Sequence, residues 1–126
     1  MEDKGYHYIL DVILSDINFL KNDKLLETFF LKVLSKTKFN TIGFLSHKFT
    51  TKGEGVTGIF LLSESHLSYH TYPEKNYLSI DIYTCGDKCF SAVEEIEAKL
   101  PKVQKISHRY IERGCHIPEI EKTKKS

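Results

Sequence analysis

Apolar and polar positions along the chain predict a short alternation of strands and helices. Residues 6–14, Tyr-His-Tyr-Ile-Leu-Asp-Val-Ile-Leu, are dense in aromatic and β-branched side chains and predict a strand. From about Asn22 to Lys36 the apolar residues recur at helical spacing. Leu25, Leu26, Phe29, Phe30, Val33 and Leu34 form one face of an amphipathic helix. A strand-like pattern returns over residues 41–49. Lys52-Gly53-Glu54-Gly55 predicts a turn or loop, because two glycines so close favour unusual backbone angles. Strands are then predicted at Val56–Ser63, His66–Tyr72 and Tyr77–Thr84, the last two joined by a hairpin turn at Pro73 to Asn76. A second helix is predicted over Phe90 to Lys99, with Val93, Ile96 and Leu100 inward and Pro101 ending it. Val103 to Ile111 predicts a final strand, and the lysine-rich tail from Pro118 is expected to be frayed.

The predicted order is β-α-β-β-β-β-α-β. Strands in adjacent hairpin-like pairs with two helices predict an α+β fold, a two-layer sandwich with a mainly antiparallel sheet and both helices on one face. The other face must be covered or stay polar. The chain has no linker, low-complexity segment or fixed-period repeat, so residues 1–126 read as a single domain.

Composition narrows the function classes. Hydrophobic residues make up 40% of the 126, enough for a core, and the formal net charge is +1. That balance argues against nucleic acid as the main partner, since phosphate binding needs a concentrated basic surface. No apolar run approaches the roughly 20 residues that cross a bilayer. The start, Met-Glu-Asp-Lys-Gly, lacks the features of a signal peptide, so a cytoplasmic location is expected. Cys85, Cys89 and Cys115 are an odd number and give no disulfide framework. Cys85 and Cys89 have three residues between them rather than the two of a zinc hairpin, so no metal is expected and three separate thiols are.

The chemistry concentrates in residues 63–74, Ser-Glu-Ser-His-Leu-Ser-Tyr-His-Thr-Tyr-Pro-Glu. In a strand, His66, Ser68, His70 and Tyr72 project from one face. Two imidazoles, a hydroxyl and a phenol are poor material for a dry core, because buried polar groups must be paired. A solvated face with two chance histidines accounts for the stripe equally well. The next predicted strand ends in Asp81-Ile82-Tyr83-Thr84-Cys85-Gly86, which brings a thiol to a strand end. A cysteine near histidines at strand edges is a candidate for proton transfer or nucleophilic work.

Gly55-Val56-Thr57-Gly58, Ser63-Glu64-Ser65-His66-Leu67, His70-Thr71-Tyr72-Pro73-Glu74 and Asp81 to Gly86 together resemble the prokaryotic S-adenosylmethionine decarboxylase proenzymes. Gly5 and His7, and Glu112-Arg113-Gly114, are similar to that family too. The resemblance implies the family's fold and a pyruvoyl-dependent decarboxylase that matures by self-cleavage. Ser65 resembles the self-processing serine. Its hydroxyl would attack the carbonyl of Glu64, leaving a β chain of residues 1–64 and an α chain of residues 65–126 that begins with a pyruvoyl group. Such chemistry implies a reactive, strained backbone with donors for the developing oxyanion, and Gly55 and Gly58 are expected to permit close backbone approach. His70 resembles the base that removes the α proton during processing. Thr57 stands where the family usually has a processing serine; it keeps the hydroxyl and adds a stiff methyl.

The same resemblance implies the mature chemistry. The pyruvoyl carbonyl condenses with the substrate's amine and acts as an electron sink, and Cys85 resembles the residue that returns a proton after carbon dioxide leaves. Phe49 and Tyr72 resemble the pair that stacks on adenine, and Glu74 the acceptor for the ribose hydroxyls. Aromatic faces also suit a sulfonium cation. Tyr72 stands where the family more often has Trp, and the loop from Phe49 to Gly55 is about two residues longer than usual. Two other function classes stay open: the same chemistry on ornithine or arginine, with Glu54 or Glu74 facing the substrate's terminal cation, and an inactive binding homologue. Finally, the family implies a homodimer of two-chain protomers with sites between them.

Overall fold

The computed structural model describes residues 3–86 and 89–117. Six strands form one sheet: β1 (Gly5–Leu14), β2 (Thr41–Lys48), β3 (Val56–Leu62), β4 (Ser65–Tyr72), β5 (Tyr77–Cys85) and β6 (Val103–Arg113). Three helices accompany them: α1 (Ile17–Lys21), α2 (Asp23–Ser35) and α3 (Cys89–Lys99). The spatial order is β2-β3-β4-β5-β1-β6, and every neighbouring pair is antiparallel. This is the predicted two-layer α+β sandwich.

Alternation along the strands divides the sheet cleanly. Leu10, Val12 and Leu14 of β1, Phe60 and Leu62 of β3, Leu67 and Tyr69 of β4, and Leu78, Ile80 and Ile82 of β5 are buried beneath the helices. From the helix layer they meet Leu26, Phe30, Val33, Leu34, Ala92, Val93 and Ile96. Phe30 stacks on Tyr69 with ring centroids 4.5 Å apart, and burial pushes the Tyr69 phenol above its usual pKa. Leu25, predicted on the inward face of α2, is exposed, because the four buried positions Leu26, Phe30, Val33 and Leu34 already fill the stripe.

The prediction missed α1, which has only five residues. Asp16 caps it, accepting from the Phe19 N–H at 3.2 Å. Asn22 then ends α1 and begins α2, its side-chain oxygen accepting from the N–H groups of Lys24 and Leu25, both at 3.0 Å. The expected turn between β4 and β5 is a short 3-10 segment, Pro73–Lys75, closed by Asn76 in the left-handed conformation (φ 54°). The tail from Pro118 lies outside the described residues.

Facing away from the helices is a second, open face. Leu45 and His47 of β2, Thr57, Ile59 and Leu61 of β3, and His66, Ser68, His70 and Tyr72 of β4 lie on it. They continue into Ser79, Asp81 and Tyr83 of β5, His7, Ile9 and Asp11 of β1, and Arg109 and Ile111 of β6. Leu45 is 76% exposed, Leu61 54% and Ile111 50%. Among the described residues the face is therefore neither covered nor uniformly polar.

Candidate active site

The candidate residues fall at two ends of the sheet. At one end, Ser63 and Glu64 form the two-residue turn between β3 and β4, and Ser65 opens β4 opposite Leu62 and Thr84. Cys85 follows Thr84, half-buried, and pairs across with Gly5 of β1. Glu64, Ser65 and Cys85 are thus brought together. The left-handed non-glycine residues among those described are Glu54, Asn76 and Lys102, so the strain expected at the Glu64–Ser65 bond takes no such form.

At the other end lies a cavity of about 370 Å³, lined by Phe49, Lys52, Thr57, His70, Tyr72 and Glu74 among others. Thr57 and His70 are cross-strand partners, with Thr57 Oγ1 3.0 Å from His70 Nδ1. A direct contact of this kind between neighbouring strands is expected to fix the imidazole's orientation. Phe49 and Tyr72 stand at the mouth, 46% and 42% exposed, so Phe49 is not a core aromatic. Tyr72 stacks on Tyr77 with centroids 5.3 Å apart.

The chain builds this cavity from two anchors. The Phe49 N–H donates to the Gly55 carbonyl at 2.8 Å and closes the lengthened loop. The buried Thr71 hydroxyl accepts from the Val56 N–H and donates to the Leu20 carbonyl, both at 2.8 Å, tying α1 and β3 to β4 behind the cavity. Glu74 reaches over the loop: a Cβ on Gly53 would stand 2.6 Å from its Oε1, and φ of +86° at Gly53 disfavours any other residue. Glu54 points elsewhere, with its Oε2 3.7 Å from the Lys21 ammonium, outside the cavity lining.

Gly55 permits a close backbone approach, though to Thr71, and Gly58 makes room for a side chain. A Cβ at Gly58 would come within 2.3 Å of the Tyr69 ring, and one at Gly55 within 2.4 Å of the Thr71 carbonyl oxygen. They make room for the core and for the cavity wall, not for a backbone approach at Ser65.

The two ends are far apart within one chain. Ser65 and His70 are five residues apart on β4, so their side chains take opposite faces and their Cα atoms are about 17 Å apart. His70 cannot reach the Ser65 α carbon of its own chain. Sequence reasoning also left several polar groups of the open face without a role. His7 Nε2 lies 3.0 Å from Asp81 Oδ1, and His47 packs edge-on against Phe49 at 4.6 Å. The Tyr77 hydroxyl donates to Asp11 Oδ1 at 2.5 Å, which pushes its pKa up to about 12. Their signal is register, which pairs residues as far as 74 positions apart. None of the three cysteines is in a disulfide, and among the described residues no group of three or more His, Cys, Asp or Glu side chains suits a metal ion. Among them, too, no helix is long and apolar enough to cross a membrane.

Comparison with known proteins identifies the family. Residues 6–114 match the family model described as S-adenosylmethionine decarboxylase. The chain is 30% identical over 122 residues to the S-adenosylmethionine decarboxylase proenzyme of Synechococcus sp. (strain WH7803), covering 94% of each chain. With the proenzyme of that name from Prochlorococcus marinus (strain MIT 9313) it shares 37% over 84 residues, 67% of this chain and 66% of the relative. The crystal structure of the Aquifex aeolicus adenosylmethionine decarboxylase superposes with a TM-score of 0.79 at 26% identity, covering 94% of this chain and 97% of that one. The chain belongs to the S-adenosylmethionine decarboxylase family.

Proposed function

We propose that the chain is a self-cleaving decarboxylase of S-adenosylmethionine that acts as a homodimer, each active site drawing on both protomers. The observation that carries this reading is the separation of Ser65 from His70 along β4. An isologous pairing of two open faces about a two-fold axis would set the Ser65 end of one protomer against the His70 end of its partner. Stacked sheets lie about 10 Å apart, so the partner's His70 would approach the residue-65 backbone from the open side, opposite the Ser65 hydroxyl. The exposed Leu45, Ile59, Leu61 and Ile111 supply apolar area for such an interface.

In maturation, the Ser65 hydroxyl adds to the Glu64 carbonyl carbon and the amide becomes an ester. The partner's His70, oriented by Thr57, takes the α proton of residue 65. The Cα–H electrons form a double bond to Cβ, and the ester C–O bond breaks to release the Glu64 carboxylate. Water then replaces the freed amine, ammonia leaves, and a pyruvoyl group caps residues 65–126. The surroundings of Ser65 fit such a group: Thr84 beside it is small and Gly5, across from Cys85, carries no side chain. Once formed, that group supplies a carbonyl that draws electrons from the bond to the substrate's carboxylate. Cys85 delivers the proton to the substrate carbon. Phe49 and Tyr72 flank the adenine, and Glu74 accepts from the ribose hydroxyls. An acid for ornithine or arginine would have to be Glu74, since Glu54 pairs with Lys21 outside the cavity.

Intact mass of denatured protein tests the maturation step. Wild-type protein is expected as two chains, residues 1–64 and 65–126, the second blocked to N-terminal sequencing, while Ser65→Ala stays whole. A wild-type chain that remains intact under native conditions contradicts the reading.

A further inference from the structure

The Arg113 guanidinium lies at the same end of the sheet as Ser65 and Cys85. Cys85 of β5, Gly5 of β1 and Arg113 of β6 form a single row across three strands. The Tyr83 ring leans from β5 onto β1, where its hydroxyl would stand 2.3 Å from a Cβ on Gly5. Arg113 reaches back over the same glycine, its guanidinium carbon 5.0 Å from the Tyr83 ring centroid. A Cβ at position 5 would collide with the Tyr83 ring on which the guanidinium rests.

The neighbouring lysine and the His7 ring each have an acidic partner. Lys4 lies 3.9 Å from Glu112, and His7 is bonded to Asp81. Among the described residues Arg113 makes no ion pair. Its charge is exposed, restrained by an aromatic face and unmatched by any of those carboxylates. A planar guanidinium held this way suits bidentate recognition of a carboxylate.

Resting on the reading of Ser65 and Cys85 above, we propose that Arg113 is the specificity-determining residue that receives the substrate's α-carboxylate. The substrate must present that carboxylate beside the reactive group made from residue 65 and within reach of the Cys85 proton. The same row of the sheet offers a matching cation. The contact exists before carbon dioxide leaves and vanishes afterwards, so it serves ground-state binding and release of a carboxylate-free product. Interactions of this type act on KM rather than on kcat.

The test uses cleaved enzyme and two ligands that differ in the carboxylate alone: S-adenosylmethionine and its decarboxylated product. Arg113→Gln is expected to raise KM for S-adenosylmethionine on the order of 10- to 100-fold, as for loss of a charged hydrogen-bonded pair, with kcat little changed. Its inhibition by the decarboxylated product should stay within about twofold of wild type, because that ligand never met the guanidinium. Arg113→Lys, which keeps the charge and the contact with Tyr83, should fall between. Equal weakening of both ligands in either variant would make Arg113 a support for Tyr83 and overturn the proposal, as would an unchanged KM. Arg109→Gln removes the same charge two rows further along the same face, beside Ile9; a KM rise equal to that of Arg113→Gln would show a general field and overturn the proposal too. A wild-type chain that never cleaves would fail the reading of Ser65 itself, whereas a cleaved, active enzyme indifferent to Arg113 would fail this inference alone.

Discussion

Thr57 and His70 face each other across β3 and β4, with Oγ1 and Nδ1 3.0 Å apart, at the opposite end of the open face from Cys85. On the proposed roles, Thr57 orients the His70 imidazole at one end of the sheet while Ser65 lies at the other. From this division the following outcomes are expected.

Phe49→Ala and Glu74→Gln should act on substrate binding and leave self-cleavage alone, because neither residue adjoins Ser65. Loss of a stacking face is worth about 0.5–1.5 kcal/mol, so Phe49→Ala should raise KM for S-adenosylmethionine about three- to tenfold. Steady-state kinetics on cleaved protein, with the rate of chain cleavage measured alongside, separates the two effects.

The open face should hold two copies together. Leu61 is 54% exposed in the row that runs from His66 through Tyr83 to His7. Leu61→Glu would bury an unpaired charge in a dimer and should weaken association by at least about 100-fold. Sedimentation at micromolar concentration should then give one protomer mass where wild type gives two, with the circular dichroism spectrum unchanged.

Thr71→Val removes a buried hydroxyl that serves both the Val56 N–H and the Leu20 carbonyl. Leaving these groups unpaired should cost about 1–3 kcal/mol each, read as a lower denaturant midpoint. Because those bonds stand behind the cavity, a rise in KM should accompany the loss.

Alkaline titration should report the Tyr77–Asp11 bond. The folded-state pKa of Tyr77 is raised from 10.0 to about 12 by its hydrogen bond to the Asp11 carboxylate. The unfolded state loses the phenol proton first, so ΔG of unfolding falls as pH rises from about 10 to about 12. In Tyr77→Phe that decline should be shallower, although the variant is less stable at neutral pH. Equal slopes in urea melts of the two proteins would remove the bond's role.

Strand and helix alternation was legible because each element buries one face. The period-2 pattern of Phe60, Leu62, Leu67 and Tyr69 and the 3.6 period of Leu26, Phe30 and Val33 reflect the same core. Five-residue α1 was not legible, since one turn carries too few apolar positions to show a period, and its signals were the caps Asp16 and Asn22. The stripe of His66, Ser68, His70 and Tyr72 was read correctly as one face. Its neighbours were not, because strand order β5-β1-β6 joins residues distant along the chain: Cys85 meets Gly5, and Gly5 meets Arg113. The separation of Ser65 from His70 was in principle countable from their odd spacing. The motif placed both in one reaction, and only the sheet geometry makes the distance a constraint.

That constraint gives the most direct test of a site shared between protomers. Ser65→Ala and His70→Ala chains, each carrying a different tag, are purified alone and also co-expressed so that mixed dimers form. Neither variant alone should cleave. In a mixed dimer one site unites the intact Ser65 of the His70→Ala chain with the intact His70 of the Ser65→Ala chain. The expected result is cleavage of the His70→Ala chain alone, at up to one site per mixed dimer. Mixed dimers in which neither chain is cleaved, or a His70→Ala chain that cleaves by itself at the wild-type rate, would contradict the account.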